Sequence, residues 1–250
     1  MASNSRLPAS LRVIGRSVVD WWDGWLDMVL VIIVWFIAQL TIVLGPPATF
    51  GLYHVVYNMF NGEATGVRGM IEGGRQYFGK AWIWGIINLL VVITIYVNII
   101  FYGGIEAIWG FYLQIFIIFL AVLWILTQFY GLPFFFEQEV KSLKIALRNG
   151  LFTTLASPFF SLILLVIILL VVVLSSVFII PTFLGLPGLI PMMGFRALQN
   201  RLETFGIRKP EKSPKEIEFE EGARMRIHNL DEEQTGTDTP GTNEERQAEK

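Results

Sequence analysis

The chain contains no cysteine, which excludes disulfides, thiolate catalysis and thiolate metal sites. Charge is scarce as well. Asp, Glu, Lys and Arg make up 16% of the residues, against roughly 25% in soluble domains. None of these four falls deep inside an apolar run, whereas a proton-driven pump needs an ionisable group at such depth. No long basic stretch exists, so nucleic acid is not expected as a partner. No nucleophile–base pair or metal-ligand spacing is visible, so no catalytic, cofactor-binding or metal residues are assigned and an enzyme is not expected.

What the chain has is oil. Hydrophobic residues make up 54% of its 250 residues and aromatic residues 14%, and the mean hydropathy is +0.56. A soluble protein of this length could not cover that much apolar surface, and the aromatics suit lipid–water boundaries. The formal charge of −2 conceals a split. Residues 1–207 carry 11 basic and 9 acidic side chains, and residues 208–250 carry 8 and 12.

The pattern predicts an all-α, polytopic transmembrane helix bundle in three parts: an amphipathic interfacial helix in residues 1–25, a helical membrane domain over 26–207, and a disordered acidic cytoplasmic tail over 208–250. In the first part Leu11, Ile14, Val18, Trp21 or Trp22, and Trp25 recur on one face, opposite Arg12, Arg16, Asp20, Asp23 and Asp27. The following apolar run, Met28–Leu44, reads as an uncleaved anchor rather than a signal peptide.

Span one is expected at Leu26–Leu44, stopped by Gly45-Pro46-Pro47. A short apolar segment, Ala48–Phe60, follows. Further spans are expected at Ala81–Tyr102, at Ala107–Leu132 ending in Gly131-Leu132-Pro133, and at Leu155–Ile180 with Pro158 in its first turn. A last short segment, Phe183–Leu198, is interrupted by Pro187 and Pro191. The turns at 45–47, 103–106 and 181–187 lack Lys and Arg, while Arg68, Arg75, Lys80, Lys141, Lys144 and Arg148 lie in the intervening loops. The positive-inside bias then favours six crossings, the second and sixth short, with both termini cytoplasmic in the cell membrane. The rival is a re-entrant 48–60, giving four or five crossings. An apolar span, a Gly/Pro break and a further helix recur three times, at Gly45, Gly131 and Gly185. Duplication and independent use of helix-ending residues both account for this.

Gly74-Arg75-Gln76-Tyr77-Phe78-Gly79-Lys80-Ala81 nearly spells a phosphate-binding loop. Ala81 replaces the magnesium-holding hydroxyl and no strand precedes it, so it reads as a basic interfacial loop. Lys141, Lys144 and Arg148 recur at helical spacing with Val140, Leu143 and Leu147 on another face, as in a helix lying on the inner leaflet. Glu137 and Glu139 would sit at its start. These six cations are candidate contacts for lipid headgroups or a partner protein. His54 and Asn58 form a candidate intramembrane polar site. The neutral residues Gln39, Asn88, Thr94, Asn98, Gln114, Gln128 and Ser175 are expected to bond helix to helix, at roughly 0.6–2 kcal/mol each.

Leu44-Gly45-Pro46-Pro47-Ala48-Thr49-Phe50-Gly51-Leu52-Tyr53, followed by Val55-Val56, resembles the Gly-Pro-Ala-Thr turn of the YesL-like family of bacterial membrane proteins, and Arg75–Lys80 resembles that family's basic-aromatic loop. The second proline and the acidic tail depart from the pattern. The resemblance implies a polytopic membrane protein associated with carbohydrate uptake of the ABC type, and carries no functional residues over. The Glu-Ala-Ala loop by which ABC permeases engage their ATPase is not present. The expected function is thus a non-enzymatic accessory or regulatory protein whose partners are the bilayer and another membrane protein, such as an ABC-type sugar transporter. The alternative is a small transporter or channel built on Gly/Pro-broken short helices. The sequence leaves the homo-oligomeric state open.

Overall fold

The computed structural model describes residues 13, 15, 17, 25–63, 65–177 and 185–207. The chain divides into two units, Met1–Phe205 and Gly206–Lys250, and every described helix belongs to the first. Among the described residues the structure is all-α. Its helices are α1 (Trp25–Leu40), α2 (Gly45–Phe60), α3 (Gly66–Gln76), α4 (Phe78–Gly103), α5 (Ile108–Glu137), α6 (Leu143–Ala156), α7 (Pro158–Val177) and α8 (Leu186–Thr204).

Uninterrupted apolar sequence makes α4 and α5 the longest elements, 26 and 30 residues. At about 1.5 Å rise per residue they run roughly 39 and 45 Å, more than the ~30 Å of a hydrocarbon core. They form an antiparallel hairpin whose register is fixed by two reciprocal hydrogen bonds. Trp84 Nε1 donates to Gln128 Oε1 at 2.8 Å, and Trp124 Nε1 donates to Asn88 Oδ1 at 3.1 Å. Toward the turn the hairpin presents exposed apolar side chains all round, including Leu89, Val92, Tyr96, Phe101, Phe111 and Phe116. Such a surface is stable in lipid and not in water. Two helices are therefore long and apolar enough to cross a membrane, and a third crossing arises if α6 and α7, bent by 102° at their junction, count as one span. The chain is a helical membrane protein on this ground.

The shorter helices gather around the other ends of α4 and α5. α1 and α2 form a hairpin in which Thr49 Oγ1 accepts from Trp35 Nε1 at 3.3 Å and from Gln39 Nε2 at 3.1 Å. One buried cluster unites Met28 and Val31 of α1, Phe50, Leu52 and Val56 of α2, Phe135 and Phe136 of α5, and Phe195 of α8. A second contains Tyr130, Leu164, Met193 and Leu198, and reaches Val13.

Several expected boundaries move. α5 does not stop at Gly131-Leu132-Pro133 but continues to Glu137 with Pro133 inside it. Proline cannot donate to the carbonyl four residues back. That carbonyl, Phe129 O, lies against Gly194 of α8, where a Cβ would stand 3.1 Å from it and 3.0 Å from Pro133 Cγ. Tertiary packing thus carries the helix through its proline. Pro191 is likewise interior to α8. Residues 66–76, read as loop, form α3. The expected 155–180 span breaks at Ser157, so Leu155 and Ala156 close α6. Glu137 ends α5 rather than starting the next helix, and α6 begins after Ser142. α6 buries Ala146, Gly150, Thr153 and Thr154 in the bundle and leaves Ile145, Phe152 and Leu155 exposed.

Of the interfacial helix, Val13 and Ser17 are buried and Ser17 Oγ donates to Val13 O. The face formed by Leu11, Ile14, Val18 and Trp25 lies outside the described side chains. So do the acidic tail from 208, residues 178–184 and the Ser175 side chain.

Candidate functional site

α2 carries Phe50, Tyr53, His54 and Tyr57 at the i, i+3, i+4, i+7 spacing of one helical face. Three helices bring further rings to it. Phe50 stands edge-on to Phe135 with centroids 5.2 Å apart. His54 and Tyr57 lie 6.0 and 6.2 Å from Phe136, and Tyr57 lies 6.0 Å from Phe195. Tyr77, at the break between α3 and α4, meets Phe135 and Phe136 edge-on at 5.3 and 5.6 Å. Edge-to-face geometry directs the positive rim of one ring at the negative face of the next.

Three cations sit on the margin of this cluster, each over a ring. Lys80 Nζ is 5.7 Å from the Phe135 centroid and 5.9 Å from that of Tyr77. Lys141 Nζ is 5.3 Å from Tyr57, and the Arg196 guanidinium is 4.8 Å from Phe60. Lys141 also serves the end of α5, whose last carbonyls have no helical donors, and Lys80 serves the connection that follows it. Lys141 Nζ donates to Phe136 O, and Lys80 Nζ donates to Lys141 O at 2.7 Å. Burial lowers the Lys141 pKa from its ordinary value; the Glu137 carboxylate opposes this, and the Lys80 charge reinforces it. The Lys80 contact crosses 61 residues of sequence and brings two basic stretches to one end of the bundle. Lys80 lies in the first turn of a membrane-length helix, and no strand precedes its Gly74–Ala81 stretch among the described residues.

His54 and Asn58 are adjacent, as their i, i+4 spacing requires. Asn58 Nδ2 approaches His54 Nε2 at 3.3 Å and Thr65 Oγ1 at 3.5 Å. Which of the two groups donates depends on the tautomer of the His54 ring. Nδ1 is buried without a partner among the described residues. The ring is pressed against Gly73 of α3, where a Cβ would stand 2.5 Å from His54 Cβ. Among the described residues no group of three or more His, Cys, Asp or Glu could hold a metal.

The structure thus joins His54, Asn58, Lys80 and Lys141 in one region. Arg68 does not join them: its Nε pairs with Glu72 Oε1 at 2.9 Å on the solvent side of α3. Arg75 is exposed in the last turn of α3, and Lys144 and Arg148 share an exposed face of α6. Sequence reasoning missed the aromatic partners Phe136 and Phe195. The helical spacing on α2 signalled a face, but not which rings would meet it.

No family model, no curated protein and no solved structure matches the chain.

Proposed function

We propose that this protein is a non-enzymatic accessory or regulatory component of the cell membrane that docks a second membrane protein through its basic, aromatic-backed end. The observation that carries the reading is the convergence of Lys80 and Lys141 on the ring cluster. Those two lysines are fixed by rings and carbonyls, which makes a rigid base. The exposed Arg75, Lys144 and Arg148 remain on nearby elements for a partner or for anionic headgroups. The resemblance to YesL-like proteins supports a sugar-uptake system of the ABC type as that partner. Six crossings, with both termini on the cytoplasmic side, complete the reading, since they keep every basic cluster inside.

The test is mild solubilisation from native membranes, followed by identification and quantitation of co-purifying proteins. A membrane partner should be recovered near stoichiometry with the wild type, and its yield should fall at least about tenfold, the equivalent of ~1.4 kcal/mol, when Arg75, Lys144 and Arg148 are replaced by Glu. Repeated recovery of the protein alone removes the reading. Accessibility tags near Arg75 and Arg148 test the topology separately: both should be shielded in intact cells.

A further inference from the structure

Between α2, α4, α5, α7 and α8 lies a cavity of about 280 Å³. That is close to the ~300 Å³ at which small-molecule pockets begin. Nine of its twelve lining residues are aliphatic or aromatic, and none is charged. Most of the polar groups at its wall are engaged within the protein. Thr49 Oγ1 accepts from Trp35 and Gln39 and donates to Gly45 O. Ser161 is bonded to Tyr130. Trp84 Nε1 is committed to Gln128.

That last bond has a consequence for the glutamine. An indole N–H only donates, so the amide must turn its oxygen to Trp84 and its NH2 group away. Gln128 Nε2 is buried with no partner among the described residues. Leaving a donor in that state is costly, and among the described residues it is the one buried side-chain N or O atom on the cavity wall without a partner. The occupant this wall suits is neutral and mainly apolar, and it bears a hydrogen-bond acceptor. A sugar is excluded because nine of the twelve lining residues are aliphatic or aromatic and would leave most of its hydroxyls without partners. An ion is excluded because the wall offers no charge. Ile125, on the cavity wall, is 53% exposed on the outside of α5, on a helix long enough to cross the bilayer, so the way in leads from lipid.

We infer that this cavity holds one acyl chain of a membrane phospholipid, with its ester carbonyl accepting a hydrogen bond from Gln128 Nε2. The site uses none of the basic residues of the proposed docking end and is independent of that reading.

The full-length protein is reconstituted in phosphatidylethanolamine–phosphatidylglycerol vesicles containing a trace of phospholipid with a photoactivatable diazirine near the ester end of one acyl chain. After irradiation, adducts are mapped by peptide mass spectrometry. Labelling is expected at Phe129, Leu132 and Leu165 above the level at Val92 and Tyr96, which report ordinary lipid contact on the exposed part of α4. Gln128→Leu should lower the cavity adducts by about three- to tenfold, the equivalent of one hydrogen bond. Ile168→Trp, which fills the space, should lower them as well. Gln128→Leu also removes the Trp84 bond, so Trp84→Phe, which removes that bond and keeps the Gln128 NH2 group, is the control and should leave the cavity adducts near the wild-type level. In all variants the Val92 and Tyr96 adducts should be unchanged, which shows that insertion is intact. Cavity labelling no higher than at Val92 and Tyr96 overturns the inference, as does cavity labelling that survives both Gln128→Leu and Ile168→Trp. Displacement of the label by an equimolar long-tailed benzoquinone, but not by excess unlabelled phospholipid, also overturns it, by assigning the acceptor to a different class of molecule.

Discussion

Gly51 is the tightest backbone contact between α2 and α3, and replacing it with alanine tests whether that contact sets the fold. A Cβ built there would stand 2.3 Å from Met70 O, 2.9 Å from Met70 Cγ and 3.0 Å from Met70 C. Even a favourable C–H···O contact keeps carbon and oxygen about 3.3 Å apart, so the two backbones must part by roughly 1 Å. The obstacle is a carbonyl in a helix rather than the tip of a flexible side chain, so no rotamer change relieves it. Overpacking of this kind costs about 1–3 kcal/mol, while alanine in place of glycine in a helix returns about 1 kcal/mol. The top of the overpacking range applies here, so Gly51→Ala should destabilise by about 2 kcal/mol net. Gly79 is the control: it is helical and exposed, with nothing within 4 Å of its built Cβ, so Gly79→Ala should stabilise by up to ~1 kcal/mol. Thermal unfolding in a mild detergent, followed by tryptophan fluorescence, reads both, because Trp84 packs 5.8 Å from Phe50 in the same core. If Gly51→Ala melts at or above the wild-type temperature while Gly79→Ala behaves as stated, the close approach of α2 and α3 is refuted.

Two further outcomes follow from single residues. Ile42, 77% exposed in the α1–α2 turn, has a φ of 56°. β-Branched residues rarely adopt this left-handed conformation, so Ile42→Gly should stabilise by about 1 kcal/mol, and an unchanged or lower melting temperature would contradict the strained turn. The Trp124–Asn88 bond should give a coupling of ~0.6–1.7 kcal/mol in a double-mutant cycle with Trp124→Phe and Asn88→Leu, and additive single effects would mean that this bond does not hold the hairpin.

What the sequence made legible follows hydropathy. α4 and α5 stand where uninterrupted apolar residues placed them, because lipid demands length and composition that a reader can count. Gln39, Asn88, Gln114 and Gln128 bridge neighbouring helices as expected. Thr94 and Asn98 do not: each donates to the carbonyl four residues back on its own helix. α3 was illegible for a physical reason. Gly66-Val67-Arg68-Gly69-Met70-Ile71-Glu72-Gly73-Gly74 has four glycines, and each carries about 1 kcal/mol of helix penalty relative to alanine. Contacts with α2 override that propensity, and two of these glycines, Gly73 against His54 and Gly74 against Pro47, permit the approach. The cations of the candidate site were visible as charges near span ends. Their pairing with Tyr57, Phe60 and Phe135 was not, because it depends on segments distant in sequence meeting at one end.

The three Gly-x-Pro segments show how one local pattern takes different structural parts. Gly45-Pro46-Pro47 and Leu186-Pro187 place prolines in the first turns of α2 and α8, where the missing N–H costs nothing. Gly131-Leu132-Pro133 lies inside α5, where the missing N–H costs a hydrogen bond. Yet the residues that follow each segment converge: Phe50 from α2, Phe135 and Phe136 from α5, and Phe195 from α8 share one buried cluster. If the segments were copies retained for a common geometry, proline would open a helix in all three. Two of them instead place a small residue or ring beside a helix crossing. Gly131 admits Leu147 of α6, whose Cδ2 would stand 3.2 Å from a Cβ there, and Pro46 packs on Gly85 of α4. The recurrence therefore reflects a repeated packing requirement, close helix contact next to an aromatic core, more directly than it reflects a repeated unit of chain.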